Sequence, residues 1–293
     1  MKEIAFNKEN LRPNEIPSIA VWGETLPEVW ENAVIATMEY GTHIPTEYDQ
    51  EVDPESKDAT MMLTITYPLK EPRIHKALPC GYDDLEVYVR EVVDGVHNHW
   101  VGNQGWSYSY HDRFTNWPGI GSEEFDLPHI NQIDELVKKL VEAPHSRRAQ
   151  AITWVPFVDV GHHEPPCLQR IWCRVVKSEE EKYLLEMNTH WRSRDAFKAA
   201  FMNIYAVTLL QENIAKKISE ASGKKIEVGR YVDVSDSFHI YGSYIRKGEV
   251  DKFLRNIEEK PFASRTVRSD NPLIQREFFR GRERLVKEIN ERK

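Results

Sequence analysis

Residues 165–206 read PPCLQRIWCRVVKSEEEKYLLEMNTHWRSRDAFKAAFMNIYA. After the proline pair, the β-rich runs at 169–176 and 183–190 predict two strands. The apolar spacing that follows Asp195 predicts a long amphipathic helix beginning at that residue. Strands that lead into a helix of this kind favour an α+β domain.

Similar patterns extend outward from this stretch in both directions. Helical spacing predicts further helices at residues 25–41, 83–96, 130–141, 249–258 and 273–290. Further strands are predicted at residues 59–67, 149–157, 226–235 and 237–244, and an exposed loop at 42–57. Because no low-complexity linker interrupts these elements, we expect a single domain over residues 1–293, with a mixed sheet and flanking helices.

Composition limits the class of protein. The 293 residues are 40% hydrophobic and 29% charged, which is typical of a soluble globular chain. The net charge of −8 argues against a nucleic-acid partner. Three irregularly spaced cysteines favour a reduced, cytoplasmic protein. Residues 1–17 lack a signal-peptide core, and no run of about 18 apolar residues suggests a membrane span.

Cys167 is the first candidate catalytic residue. It follows two prolines and precedes a predicted strand, so it should lie at the start of that strand. Such a cysteine can act as a nucleophile where nearby cations lower the pKa of its thiol. A lone cysteine is more often a small buried hydrophobe. The upstream sequence GHHE at 161–164 matches no zinc spacing, so no metal site is expected.

Four polar residues could bind a phosphate: Arg147, Arg148, Arg192 and Ser193. Guanidinium groups bind phosphate bidentately, and a hydroxyl can fill the remaining oxygen. Taken singly, each arginine is more often a surface ion-pair partner.

Asn203, His239 and Tyr241 are candidates for contact with a base and a sugar. Asn203 lies in an apolar helical run, where its amide could read the edge of a base or bond to neighbouring backbone. His239 and Tyr241 are two residues apart on a predicted strand and therefore share a face. They could hold a sugar hydroxyl or contact a neighbouring strand.

The order of these residues resembles the thymidylate synthase superfamily. The matching motifs are Ser146-Arg147-Arg148, Pro166-Cys167, Arg192-Ser193-x-Asp195, Asn203-Ile204 and His239-Ile240-Tyr241. The similarity is specific over residues 146–244, whereas residues 1–80 and 247–293 diverge. Glu91 resembles the family's catalytic glutamate, and Tyr110 resembles its active-site tyrosine.

The resemblance implies a thymidylate synthase-like fold and a one-carbon transfer to C5 of a pyrimidine nucleoside monophosphate, most simply dUMP to dTMP. The donor would be 5,10-methylenetetrahydrofolate or a methanopterin relative. By the same resemblance Cys167 adds to C6 of the pyrimidine, Glu91 and Tyr110 transfer protons, and Asn203 reads the uracil edge.

The resemblance also implies how the ligands bind. The phosphate would contact Arg192 and Ser193 of one subunit and, in a homodimer with shared active sites, Arg147 and Arg148 of the other. His239 and Tyr241 would hold the sugar, and Asp195 would face the pterin.

Four features depart from the common enzymes of this superfamily. Leu168 replaces a histidine after the nucleophile, and Ala199 and Phe201 replace a glycine and a proline before Asn203. The Arg-Thr-Gly phosphate loop and the apolar C-terminal tail are also missing from the pattern. Weaker closure would admit water, so a pyrimidine nucleotide 5-hydroxymethylase acting on dCMP, CMP or dUMP is the alternative function. A non-catalytic nucleotide-binding dimer is the second alternative.

Overall fold

A computed structural model describes residues 3–5, 12, 14–122 and 126–291. The strands are β1 (Glu3–Ala5), β2 (Ser18–Gly23), β3 (Thr42–Ile44), β4 (Ser56–Ile65), β5 (Ile74–His75), β6 (Gln150–Ile152), β7 (Leu168–Lys177), β8 (Tyr183–Trp191), β9 (Arg194–Asp195), β10 (Ile226–Ile240) and β11 (Thr266–Val267). The helices are α1 (Leu26–Tyr40), α2 (Tyr82–Asp94), α3 (Tyr110–Thr115), α4 (Gln132–Glu142), α5 (Pro156–Asp159), α6 (Ala200–Ser222), α7 (Gly242–Arg246), α8 (Glu249–Glu259), α9 (Phe262–Arg265) and α10 (Pro272–Asn290).

The chain forms two compact units, each built from separate segments of sequence. The first unit comprises Met1–Gly81, Trp191–Tyr205 and Val232–Gln275. The second unit comprises Tyr82–His190, Ala206–Tyr231 and Arg276–Lys293. Strand β10 and helices α6 and α10 contribute residues to both units.

In the first unit the strand order is β1-β2-β4-β10, with β3 on β4 and β9 on β10. Strands β2 and β4 run parallel, and α1 lies between them in sequence. Helix α1 begins with a capping box in which the Glu28 carboxylate accepts the Thr25 N–H. The buried indole of Trp30 donates to the Ala196 carbonyl at 2.9 Å, which ties α1 to the segment after β9.

In the second unit the strand order is β10-β8-β7-β6, and β6 runs antiparallel to β7. Strand β7 buries alternate residues along much of its length, as expected for a strand with one face toward a core. Helix α4 buries its apolar stripe of Ile133, Leu136, Val137 and Leu140. The core of this unit therefore follows from the period-2 and period-3.6 patterns of its own sequence.

The predicted fold class is confirmed: the chain is an α+β domain with a mixed sheet and flanking helices. Two predicted strands at 226–235 and 237–244 are instead the single strand β10, followed by α7. Pairing with β4 carries the strand past its turn-favouring Ser-Asp-Ser sequence, because Thr60 Oγ1 donates to the Asp236 carbonyl at 2.9 Å.

Two other predicted segments differ from the structure. The strand predicted at 149–157 ends at Ile152, and Pro156 begins α5. The predicted loop at 42–57 contains β3, which pairs with the first residues of β4.

None of the helices in the described ranges is both long and apolar enough to cross a bilayer. Most of residues 1–17, where the sequence shows no signal-peptide core, lie outside the described residues.

Candidate active site

Cys167 lies immediately before β7, as its position after two prolines predicts. Its side chain is half-buried, and the next residue, Leu168, is fully buried. The Leu168 N–H donates to the Tyr110 hydroxyl at 3.4 Å. Cys173, farther along β7, is fully buried, and burial strongly raises the pKa of its thiol. Cys167 is therefore the more accessible thiol of this part of the chain.

Tyr110 is held beside Cys167 by the first turn of α3. The Ser109 hydroxyl caps this helix by accepting the Asp112 N–H at 3.2 Å. A buried ion pair of 2.9 Å between Arg113 and Asp159 fixes the same helix. Burial, together with the nearby Tyr108 and Cys167, raises the pKa of Tyr110 well above its usual value. At neutral pH the phenol is therefore a neutral hydroxyl that can donate a proton or a hydrogen bond.

Glu91 lies half-buried on α2, and its carboxylate is held by a histidine. Its Oε1 lies 2.6 Å from His97 Nδ1, and His97 Nε2 lies 3.0 Å from Glu288 Oε2. Burial raises the pKa of Glu91, although the hydrogen bond to His97 opposes that shift. A carboxyl with a raised pKa is suited to general acid catalysis.

Arg147 and Arg148 lie between α4 and β6 and are both exposed. Their backbone is fixed: the Arg147 carbonyl accepts the Trp172 indole N–H at 3.0 Å, and the Arg148 N–H donates to Ser146 Oγ at 3.2 Å. Within the described residues neither guanidinium has a hydrogen-bond or ion-pair partner. Both groups are therefore available to an anion or to another chain.

In the first unit a buried ion pair fixes the turn that carries Arg192 and Ser193. Arg194 Nη2 lies 2.5 Å from Asp233 Oδ2, and both side chains are completely buried. The same guanidinium stacks over Trp191 at 3.6 Å from the ring centroid. Arg192 and Ser193 stand between these anchors and are half-buried.

The prediction that Asp195 begins the long helix is wrong. Asp195 lies in β9, where it pairs with His239 of β10, and α6 begins at Ala200. Its Oδ1 instead accepts the N–H groups of Phe197 and Lys198 at 2.9 and 2.8 Å, in an Asx-type turn before the helix. Pairing with β10 and the Trp30 bond to Ala196 extend the backbone that local propensity would have made helical.

The Asp195 carboxylate is oriented on its other side by Tyr244. The Tyr244 hydroxyl donates to Asp195 Oδ2 at 2.8 Å. Burial and the neighbouring Asp195 charge raise the pKa of Tyr244, so the phenol stays protonated and remains a donor. Three hydrogen bonds thus fix the direction of this carboxylate.

His239 is buried near the end of β10, and one of its ring nitrogens has no hydrogen-bond partner among the described residues. Ser237 Oγ lies 2.8 Å from Asp58 Oδ2 and 3.1 Å from His239 Nδ1. Since the Ser237 hydroxyl donates to the carboxylate, its oxygen accepts from Nδ1–H of the imidazole. Burial lowers the pKa of His239, so the ring is neutral and Nε2 is an acceptor. Among the described residues, nothing bonds to that buried Nε2.

Tyr241 lies just beyond β10, so the prediction that it shares a strand face with His239 is wrong in detail. The two rings are nevertheless close, with centroids 4.7 Å apart. Asn203 is half-buried in the first turn of α6, where its N–H donates to the Ala199 carbonyl at 3.0 Å. No group of three or more His, Cys, Asp or Glu side chains in the described part of the chain could hold a metal ion.

The structure thus brings together two sets of candidates within the units. Cys167 and Tyr110 meet in the second unit, and Asp195, His239 and Tyr241 meet in the first. Sequence reasoning missed the residues that orient Glu91, Asp195 and His239, which are His97, Glu288, Tyr244, Ser237 and Asp58. The contacts Tyr244–Asp195, Ser237–Asp58 and His97–Glu288 span 49, 179 and 191 residues, so no local pattern could have indicated them.

Comparison with known proteins gives matches over most of the chain. The thymidylate synthase family model matches residues 84–276. A Methanosarcina mazei protein named "Putative thymidylate synthase" is 29% identical over 220 residues, which cover 75% of this chain and 84% of the relative. A Methanocaldococcus jannaschii protein of the same name is 28% identical over 231 residues, covering 77% and 88%.

The fold is also that of a solved structure. Thermostable thymidylate synthase A from Bacillus subtilis superposes with a TM-score of 0.55, covering 81% of this chain and 86% of that one at 16% identity. The family match defines the class of the protein as an enzyme of the methyltransferase type. The chain belongs to the thymidylate synthase family.

Proposed function

We propose that this protein transfers a one-carbon unit to C5 of a pyrimidine nucleoside monophosphate, converting dUMP to dTMP through a covalent adduct of Cys167 at C6. The observation that supports this most directly is the placement of Cys167 at the start of β7, next to the neutral phenol of Tyr110. Family membership supplies the class of reaction.

Cys167 would act as the nucleophile. The bond from its sulfur to C6 moves electron density onto C5, which can then attack the carbon of the one-carbon donor. The raised pKa values of Glu91 and Tyr110 suit them to supply protons to the ring oxygen and to handle the proton that leaves C5.

Phosphate recognition is proposed for the cationic groups. Arg192 and Ser193 stand on a rigid turn, so a guanidinium and a hydroxyl can be presented together. Arg147 and Arg148 are exposed cations without partners in the described chain, which supports the proposal that they reach the phosphate site of a second subunit in a homodimer.

The sugar and the base would be read by neutral groups. The buried acceptor Nε2 of His239 can take a hydrogen bond from a sugar hydroxyl, and Tyr241 lies beside it as a second partner. The Asn203 amide can accept from N3–H and donate to O4 of uracil. An acceptor at N3–H favours uracil over cytosine, whose N3 carries no hydrogen.

The one-carbon donor is a co-substrate, proposed to be 5,10-methylenetetrahydrofolate or a methanopterin relative. It would supply the carbon and, for a methyl product, the hydride. The Asp195 carboxylate is suited to bind the pterin ring of this donor. Three hydrogen bonds fix its orientation, and a carboxylate can still accept a further hydrogen bond from a pterin N–H. The reaction is expected in the cytoplasm, where nucleotide and reduced cofactor are both found.

The test is a substrate panel. The protein is incubated with methylenetetrahydrofolate and dUMP, dCMP, UMP or CMP, and each product is weighed by mass spectrometry. A methylated dUMP with formation of dihydrofolate supports the proposal. A hydroxymethyl product without dihydrofolate identifies a 5-hydroxymethylase instead. If the same panel repeated with the methylene form of tetrahydromethanopterin also gives no product with any nucleotide, a binding-only dimer is favoured.

A second experiment tests the covalent step. Cys167→Ser should abolish turnover while leaving nucleotide binding intact, because the hydroxyl is a much weaker nucleophile of similar size. Cys80→Ser is the matched control, since Cys80 is also half-buried and has no proposed role. Full activity in Cys167→Ser contradicts the covalent mechanism.

A further inference from the structure

Three ionisable side chains form a line in the second unit. Glu91 of α2 and Glu288 of α10 lie on opposite sides of the His97 imidazole, at 2.6 Å from Nδ1 and 3.0 Å from Nε2. His97 is 3% exposed and Glu91 is 17% exposed, whereas Glu288 is 31% exposed. The line therefore runs from a shielded carboxyl to one that water can reach.

Aromatic rings fix the imidazole in this position. His97 stacks on Trp100 with ring centroids 3.5 Å apart, and Trp106 meets its edge at 6.1 Å. The ring cannot turn without breaking both hydrogen bonds and the stack. Glu91, His97 and Glu288 thus form a hydrogen-bonded triad.

The hydrogen bonds determine how many protons the triad holds. Each of its two bonds needs one proton between the facing atoms, yet a neutral imidazole between two carboxylates carries only one. The triad must therefore bind a second proton, either as an imidazolium or on one of the carboxyls. Because the three groups interact strongly, this proton belongs to the triad rather than to a single residue.

Other titratable groups also lie near the triad. Arg284 of α10 acts on the Glu91 carboxylate, and the His99 ring lies 6.0 Å from that of His97. The negative charge of Glu288 favours retention of a proton at Glu91, whereas the imidazole and Arg284 oppose it.

We propose that the triad is a proton relay in which His97 and Glu288 position Glu91 and refill it with protons from solvent. This inference rests on the proposed role of Glu91 as a proton donor in the reaction. When Glu91 gives its proton to the substrate, the triad falls from two protons to one and one hydrogen bond is lost. A proton from water, taken up at the partly exposed Glu288, restores both. No other reactant is consumed.

The activity test compares single variants with dUMP and methylenetetrahydrofolate across pH. Glu91 acts while protonated, so kcat should fall as pH rises through the apparent pKa of the triad. This fall is the alkaline limb of the pH profile. Glu288→Gln removes a negative charge that favours protonation of Glu91, so the limb should move to lower pH. His97→Gln removes the group that opposes protonation of Glu91, so the limb should move to higher pH, with kcat reduced roughly 10- to 100-fold.

Two controls separate a relay from a merely structural contact. Glu288→Asp keeps the charge, so its limb should stay close to that of the wild type. Glu283→Gln removes one charge from an exposed position on the same helix and should leave kcat and its limb unchanged. If Glu288→Gln and Glu283→Gln give the same pH profile, the relay is refuted, and this comparison remains valid even if His97→Gln folds poorly.

A second measurement does not depend on activity. In protein labelled with ¹⁵N-histidine and ¹³C-carboxyl glutamate, the NMR signals of His97 and Glu91 should change together with pH. In Glu288→Gln the two signals should change at different pH values. If the two signals change at different pH values already in the wild type, the proposal that the triad shares one proton is refuted. If the signals titrate together but no nucleotide is turned over, the triad stands and the proposed function fails. If turnover occurs without the limb shifts, the relay fails and the proposed function stands.

Discussion

Removing the charge of Asp233 should destabilise the protein strongly. Asp233 forms a 2.5 Å ion pair with Arg194, and neither side chain is exposed to solvent. Asp233→Asn keeps the shape of the side chain but leaves the guanidinium charge buried without a counter-charge. The stacked Trp191 ring offers that charge only a weak substitute.

The expected magnitude follows from the burial of the pair. Breaking a buried ion pair from one side costs about 3–5 kcal/mol, because the remaining charge stays desolvated. At about 2 °C per kcal/mol for a chain of this length, Tm should fall by roughly 6–10 °C. Arg194 directly follows Ser193, which we propose to contact the phosphate. A shift of Arg194 should therefore move Ser193 and raise the KM for the nucleotide.

Urea unfolding of the two variants Asp233→Asn and Asp270→Asn gives the measurement and its control. Asp270 pairs with Arg268 at the surface, where both side chains are more than half exposed, so its loss should not shift the midpoint. In a double variant, Arg194→Met with Asp233→Leu, stability should return close to that of the wild type. A loss of less than about 1 kcal/mol in the free energy of unfolding of Asp233→Asn would refute the reasoning, because a buried charge without a counter-charge destabilises a protein by more than this.

Three further outcomes are expected. Tyr110→Phe should lower kcat about 100-fold with the fold intact, as steady-state kinetics and thermal unfolding can show, since only the hydroxyl beside Leu168 N–H is lost. Under mild iodoacetamide treatment, peptide mass spectrometry should find Cys167 modified and Cys173 unmodified, because burial raises the pKa of the Cys173 thiol and shields it. Gly242→Ala should lower Tm, because a Cβ there would overlap the Pro54 carbonyl oxygen.

Much of the secondary structure follows from local patterns in the sequence. Helices α1, α2, α4, α8 and α10 and strands β7 and β8 lie close to where periodicity predicts them. These elements have side chains that repeat with the period of the element and carry few turn-forming residues, so short-range information is sufficient. The short strands β1, β5, β9 and β11 have two or three residues each and were not predicted, since their extended backbone depends on a pairing partner.

The candidate residues also divide into those that local sequence places correctly and those that tertiary contacts place. Cys167 could be placed at a strand start from the prolines before it, and the order of motifs indicated the family, which comparison confirms. The roles of individual residues remain predictions. Asp195 is an example of a residue whose place in the fold the sequence did not predict. It was predicted to begin a helix, but its pairing with β10 in β9 overrode that local preference.

The sequence by itself determined the class of fold, the family and the identity of the candidate nucleophile, because these depend on residue types and spacings along the chain. Only the tertiary structure decided the protonation and direction of the polar groups. The free Nε2 of His239 depends on Asp58, which is 179 residues from Ser237, and the second proton of the triad depends on Glu288, which is 191 residues from His97. Hydrogen bonds and desolvation act through space, so pKa values and tautomers cannot be read before the chain is folded.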